Sequence, residues 1–138
     1  MIYLKELIKD HHVPDEDAKS NLNRLHYCLN YIRFHFKKPI VVTRAFVTLD
    51  EQVKLYEAIN TERLAQGKPQ IAPKTKSFHL LGAAADLDDS KGELKDWVLK
   101  NAYTVETLLL HFEDFESTPK HLHIQIYPPE SGKRFFKP

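Results

Sequence analysis

His121-Leu-His-Ile-Gln-Ile-Tyr127 alternates without a break: Leu122, Ile124 and Ile126 fall on one side, His121, His123 and Gln125 on the other. Successive side chains of an extended chain point to opposite faces. The spacing therefore predicts a strand with one face on an apolar core and a polar face open to a cleft. Immediately upstream, Glu116-Ser-Thr-Pro119 is turn text, and Val105 to Phe112 reads as a second strand joined through it. Further back, Ala83 to Leu87 is a candidate strand of small residues. Ile40-Val-Val-Thr43, a β-branched run behind Pro39, reads as a buried one.

The helices lie mostly toward the N-terminus. Ala18, Leu22, Leu25, Leu29, Ile32 and Phe36 recur at alternating intervals of four and three, the stripe of a helix from about Asp15 to Phe36. Asp15 or Asp17 caps its start, and Lys37, Lys38 and Pro39 close it. Cys28 lies beside the stripe and reads as a small core residue. Thr48-Leu-Asp-Glu51 matches a capping box and opens a second helix carrying Val53, Tyr56, Ile59 and Leu64, which ends near Gly67. Lys68 to Phe78 is a Pro- and Lys-rich loop. Gly92 to Asn101 is a short helix with Leu94, Trp97 and Val98 inward. The tail from Pro128 to Pro138 is irregular, pinned back by Phe135 and Phe136. Helices early and strands late predict an α+β domain over 1–138, with a small, mainly antiparallel sheet flanked by helices.

Composition narrows the function. The 138 residues are 42% hydrophobic, enough for one real core. Twenty Lys and Arg against 19 Asp and Glu leave a formal charge of +1, so nothing electrostatic favours a nucleic-acid or anionic-membrane partner. The apolar run Leu80 to Ala85, interrupted by Gly82, is far short of the ~20 residues of a membrane span. Cys28 is the lone cysteine, so no internal disulfide forms. Met1-Ile-Tyr-Leu-Lys-Glu-Leu-Ile-Lys9 lacks the apolar core and small-residue cleavage site of a secretory signal, and the expectation is a cytoplasmic product. A monomer is expected.

The chemistry concentrates in Ser77-Phe-His79-Leu-Leu-Gly82-Ala-Ala-Ala85-Asp86, followed about 35 residues later by His121-Leu-His123. Imidazole nitrogen and carboxylate oxygen suit a borderline-soft divalent ion such as Zn²⁺. Gly82 permits a sharp turn from His79 into the strand of Asp86, and the alanines leave space beside it. A histidine from a separate strand supplies a third ligand, and three protein ligands with an open position describe a catalytic site. On spacing alone, a second reading stays open: histidines that are merely exposed or hydrogen-bonded.

The pattern Ser-x-His-x-x-Gly-x-Ala-x-Asp, with a later strand bearing His, resembles the zinc D,D-peptidase group. That group holds the D-Ala-D-Ala dipeptidases and carboxypeptidases of vancomycin resistance and the phage endolysins that cut L-Ala-D-Glu bonds. Its fold is shared with the Hedgehog signalling domain. Ser77, His79, Gly82, Ala84 and Asp86 match with the spacing intact, and the wider likeness runs from Val41-Val-Thr43 to about Tyr127. The resemblance implies His79, Asp86 and His123 as Zn²⁺ ligands. It also implies Ser77 as a hydrogen-bonding group near the substrate carboxylate, and it puts His121 in the place of a family Trp beside the substrate.

Two positions depart from the family. Lys120 stands where many members carry the catalytic carboxylate, three residues before the last zinc His. The candidate bases are then Glu113, Asp114 and Glu116. Glu113 is preferred because it ends the strand expected to pair with that of His123. The family Arg that holds the substrate's terminal carboxylate is replaced by Val47, with Arg44 three residues earlier, either as its substitute or as a surface residue. The implied function is a zinc metallopeptidase hydrolysing peptidoglycan stem peptides, as a D,D-carboxypeptidase or an endolysin-type endopeptidase. It would form no covalent acyl intermediate, and it would reach the cell wall through phage-type lysis. The alternative is a zinc- and wall-peptide-binding module of the same fold without turnover. His11, His12, His26, His35 and His111 read as structural or exposed.

Overall fold

Helix α1 (Glu16–Phe36) forms one wall of the core. Asp15 is its cap: the Oδ1 atom accepts from the Ala18 N–H at 2.8 Å, while Asp17 lies within the first turn. At the other end Lys37 adopts φ 64° and its N–H donates to the Arg33 carbonyl, closing the helix where the sequence predicts. Leu22, Leu25, Leu29 and Ile32 are fully buried along the expected stripe. Each contributes about 1.5–3 kcal/mol by leaving water. Cys28 is buried beside them, and burial pushes its thiol pKa up, as for an inert core residue. The computed structural model describes residues 1–9 and 12–138; Asp10 and His11 lie outside the described residues.

The N-terminal strap is tied to α1 by side chains. Asn30 brackets Ile2, accepting from its N–H at 2.8 Å and donating to its carbonyl at 2.9 Å, and His26 Nε2 lies 2.7 Å from the same carbonyl. After α1 the chain forms β1 (Val42–Arg44) and then α2 (Leu49–Ala65). Thr48 Oγ1 caps α2 by accepting from the Glu51 N–H at 3.3 Å. The Glu51 carboxylate turns to Lys9 at 2.9 Å and His12 at 3.3 Å. The expected inward set on this helix is corrected in part. Tyr56 is buried and Ile59 half-buried, but Val53 and Leu64 are exposed. Gln52 and Tyr56, one turn apart, form the contact line instead, because α2 packs at the margin and buries only a narrow face.

Strand β2 (Ala84–Asp88) is central, followed by α3 (Glu93–Lys100), whose first N–H groups at Leu94 and Lys95 donate to the Asp89 carboxylate at 2.9 and 3.0 Å. The strand expected from Val105 to Phe112 is corrected. The chain first makes helix α4 (Ala102–Thr107), and only β3 (His111–Glu113) is extended. Val105 is fully buried as a helical residue, its N–H on the Asn101 carbonyl, and Leu109 at φ 58° then reverses the chain. Tertiary burial outweighs the modest β preference of Thr and Val here.

Strand β4 (His121–Gln125) lies between β2 and β3, antiparallel to both. The tail returns as β5 (Phe135–Phe136), parallel to β3, with Phe135 stacked on Phe112 at 5.5 Å between ring centroids. The sheet order is β1-β2-β4-β3-β5. The fold is α+β as expected, but the sheet is mixed, because the pinned tail adds a parallel edge to an otherwise antiparallel set. One face (Ala85, Leu87, Phe112, Leu122, Ile124) joins the α1 stripe in one apolar cluster. The other carries Asp86, His123 and Gln125. No helix among the described residues is long and apolar enough to cross a membrane.

Candidate metal centre

The register of the sheet builds the site. Arg44 pairs with Asp86 across β1 and β2, and Asp86 with His123 across β2 and β4. Directly opposed residues of neighbouring strands share a face, so these three side chains stand in one row. Glu113 follows Phe112, whose partner is Ile124 on the core face, so Glu113 turns to the His123 face. Its charge reaches His123 and helps raise the pKa of that imidazole.

His79 arrives from a different direction, on a 3₁₀ turn over Phe78–Leu81. Ser77 caps that turn, its Oγ accepting from the His79 N–H at 3.2 Å. Gly82 ends it at φ 68°, and a Cβ there would stand 2.8 Å from Leu22 Cγ and 2.9 Å from the Ala18 carbonyl. Glycine is required twice over: for the left-handed backbone, and for close approach to α1. The turn delivers a buried imidazole to the Asp86 carboxylate.

His79 Nδ1 lies 2.8 Å from the Ala45 carbonyl. A carbonyl only accepts, so Nδ1 carries a hydrogen and Nε2 is the ring atom turned to Asp86 Oδ1, 3.5 Å away. His123 Nδ1 is 2.8 Å from that same oxygen, and the two imidazole rings meet at 68° with centroids 5.3 Å apart. The ligand atoms of His79, Asp86 and His123 all lie within 4.8 Å of one another. Tetrahedral Zn²⁺ with bonds of ~2.1 Å separates its ligand atoms by ~3.4 Å, so small side-chain adjustments bring this set around an ion. Two imidazoles and a carboxylate fit that metal chemically.

The electrostatics of the metal-free cluster are coupled. Burial alone would raise the pKa of Asp86. Hydrogen bonds from His123 and His79, with the charges of both rings, reverse this and hold it well below the usual carboxylate range. For His123 burial works downward, but the Asp86 hydrogen bond and charge, joined by the Glu113 charge and a bond to Gln125, raise it overall. The cluster thus favours a carboxylate beside an imidazolium, and a divalent ion would take the place of that proton.

The remaining expected residues are placed as follows. Arg44 is half-buried and donates to the Gln52 amide oxygen. Gln52 in turn donates to the Lys74 carbonyl at 3.0 Å. Arg44 is therefore held within the row by Gln52 rather than free on the surface. It also lines a cavity of about 830 Å³ with Lys5, Phe46 and Glu51, a cavity that none of the three ligands lines. His121, half-buried, pairs with Asp88 at the far end of β4. Asp114 caps the following turn, accepting from the Ser117 N–H at 2.8 Å; the Ser117 side chain first, and this N–H second, lower its pKa. Glu116 is exposed on that turn, as is Lys120 after it. Glu113 is thus the carboxylate of the three that stands in the row.

Three contributors escape the sequence reading. Gln125 lies on the polar face of the alternating strand, so its placement was legible but not its use. Gln52 sits on a helix whose apolar spacing points to a different buried line, through Val53, Tyr56, Ile59 and Leu64. The Ala45 carbonyl leaves no side-chain signal at all. Of the other histidines, His26 binds Ile2, His35 packs on Tyr31 at 4.6 Å and His111 holds the tail through the Lys133 carbonyl at 3.1 Å. No family model matches this chain, and comparison with curated proteins and with solved structures gives no match.

Proposed function

We propose that this chain is a zinc-dependent metallopeptidase of the D,D-peptidase type, with the Hedgehog-like fold of that group, acting on peptidoglycan stem peptides. The observation that carries the reading is the convergence of His79, Asp86 and His123, from a 3₁₀ turn and two strands, with ligand atoms within 4.8 Å of one another. The chemistry a divalent ion supplies at such a centre is Lewis-acid polarisation of a carbonyl and acidification of water toward pH ~7.

The protein's own groups complete the proposal. His79 and His123 hold ligand nitrogens toward Asp86 through hydrogen bonds on their opposite ring atoms. Glu113 stands beside His123 as the group to accept a proton from water and return it to the leaving amine. Arg44, steadied by Gln52, offers a guanidinium one strand from Asp86 for a peptide carboxylate, the geometry that Arg serves best. D,D-carboxypeptidase and endolysin-type endopeptidase cleavage both belong to this reading, with access to the wall by phage-type lysis.

The test is elemental analysis of the purified protein, then digestion of defined muropeptides with and without chelator. Stoichiometric zinc and chelator-sensitive cleavage are expected; protein that takes up no zinc overturns the proposal. A second reading, a zinc- and wall-peptide-binding module without turnover, rests on Lys120, a cation where the group commonly has its carboxylate. Zinc uptake with intact muropeptides would favour it.

A further inference from the structure

Gln125 belongs to no ligand set, yet it is buried at 3% exposure with both ends of its amide engaged. Its Nε2 donates to the Tyr127 carbonyl at 2.8 Å, and its Oε1 lies 2.9 Å from His123 Nε2. The opposite amide orientation would press two acceptor oxygens together at Tyr127, so the observed one is fixed by the backbone. An amide oxygen only accepts, so His123 Nε2 carries a hydrogen. Without a metal, Nδ1 also carries a hydrogen, donated to Asp86 Oδ1 at 2.8 Å; a ring that gives up this proton to a cation keeps its remaining N–H on Nε2 and offers the Nδ1 lone pair. The other imidazole follows the same logic with nitrogens exchanged: the Ala45 carbonyl holds the His79 Nδ1 hydrogen and leaves Nε2 toward Asp86.

We propose that Gln125 is a positioning residue that selects the His123 tautomer, so that this ring presents Nδ1 to a divalent cation. The proposal rests on the metal-centre reading above and adds the group that orients one of its ligands. Strand geometry makes the device possible. Gln125 is two residues beyond His123 and therefore on the same face, and Ala84 opposite it contributes only a methyl group to that face. Outer hydrogen-bond partners of this kind commonly alter metal affinity by roughly 10–100-fold.

The experiment compares full-length wild type, Gln125→Leu and Gln125→Glu, each confirmed folded by circular dichroism. Leu removes the acceptor at similar size, and Glu retains it. Zinc affinity is measured by competition with a chromophoric chelator near neutral pH. The ¹⁵N imidazole spectrum of each zinc-loaded protein identifies the protonated nitrogen of His123. Roughly 10–100-fold weaker zinc binding by Gln125→Leu is expected, with Gln125→Glu restored toward wild type and Nε2 protonated in the wild type and in Gln125→Glu. Wild-type affinity in Gln125→Leu, equal weakening in both variants, or a protonated Nδ1 in the zinc-loaded wild type would overturn the role of Gln125. Failure of the metal centre itself looks different: wild type takes up no zinc, and the inference falls with it.

Discussion

Asp86 Oδ1 receives two imidazoles at once, His123 Nδ1 at 2.8 Å from the neighbouring strand and His79 Nε2 at 3.5 Å from the turn before its own strand. One carboxylate oxygen thus joins the turn before its own strand to a histidine 37 residues beyond Asp86. It sits on the sheet face that also carries Arg44 and Glu113.

Removal of either imidazole should empty the centre. His79→Ala and His123→Ala are each expected to abolish zinc uptake and muropeptide cleavage together. Asp86→Asn should do the same, because it withdraws the anionic ligand. Plasma emission analysis of the three purified variants checks this; stoichiometric zinc in His79→Ala and His123→Ala would refute the ligand set.

Glu113 separates chemistry from binding. Glu113→Gln keeps the shape of the side chain and cannot take a proton, so zinc content should remain at the wild-type level. Hydrolysis should fall by roughly 10²–10⁴-fold, the usual scale for general acid–base catalysis. A variant that cleaves at the wild-type rate would remove Glu113 from the reaction.

The pH dependence of metal-free stability follows from the two shifts. The folded pKa of Asp86 is lowered, so its stabilising contribution is present above the unfolded value of ~3.9 and is lost as pH falls below that. The folded pKa of His123 is raised, so its contribution is complete below the unfolded value of ~6.5 and is lost as pH rises through the folded pKa. Thermal melts in chelator should therefore show both contributions intact between about pH 4 and 6.5, with stability from this pair declining on either side. In Asp86→Asn the alkaline decline should flatten, since the partner that raises His123 is gone.

Gly82 tests the turn that delivers His79. Gly82→Ala puts a Cβ into Leu22 and the Ala18 carbonyl at a φ of 68°. The left-handed backbone and overpacking together should cost about 2–5 kcal/mol. Gly67→Ala, at φ 71° with nothing within 4 Å of its Cβ, carries only the backbone share, about 1–2 kcal/mol. Urea titration of both variants measures the difference, and equal losses would mean that close packing on α1 is unimportant.

Much of this architecture was already legible in the chain. The stripe from Ala18 to Phe36 and the Asp15 cap determine α1, and the alternation from His121 to Gln125 determines β4 and puts His123 on its polar face. The Thr48 cap opens α2, and Gly82 marks the turn between His79 and Asp86. These signals are short-range: side-chain periodicity, a hydroxyl or carboxylate beside free N–H groups, a backbone angle that favours glycine. Tertiary structure alone made residues 102–107 helical, because burial of Val105 outweighed a local preference of a few tenths of a kcal/mol. It also decided that Arg44, Asp86 and His123 stand in one row, and that the Ala45 carbonyl and Gln125 choose which nitrogen each imidazole offers. Strand register and the position of a distant carbonyl depend on how the whole core packs, and no residue encodes them locally.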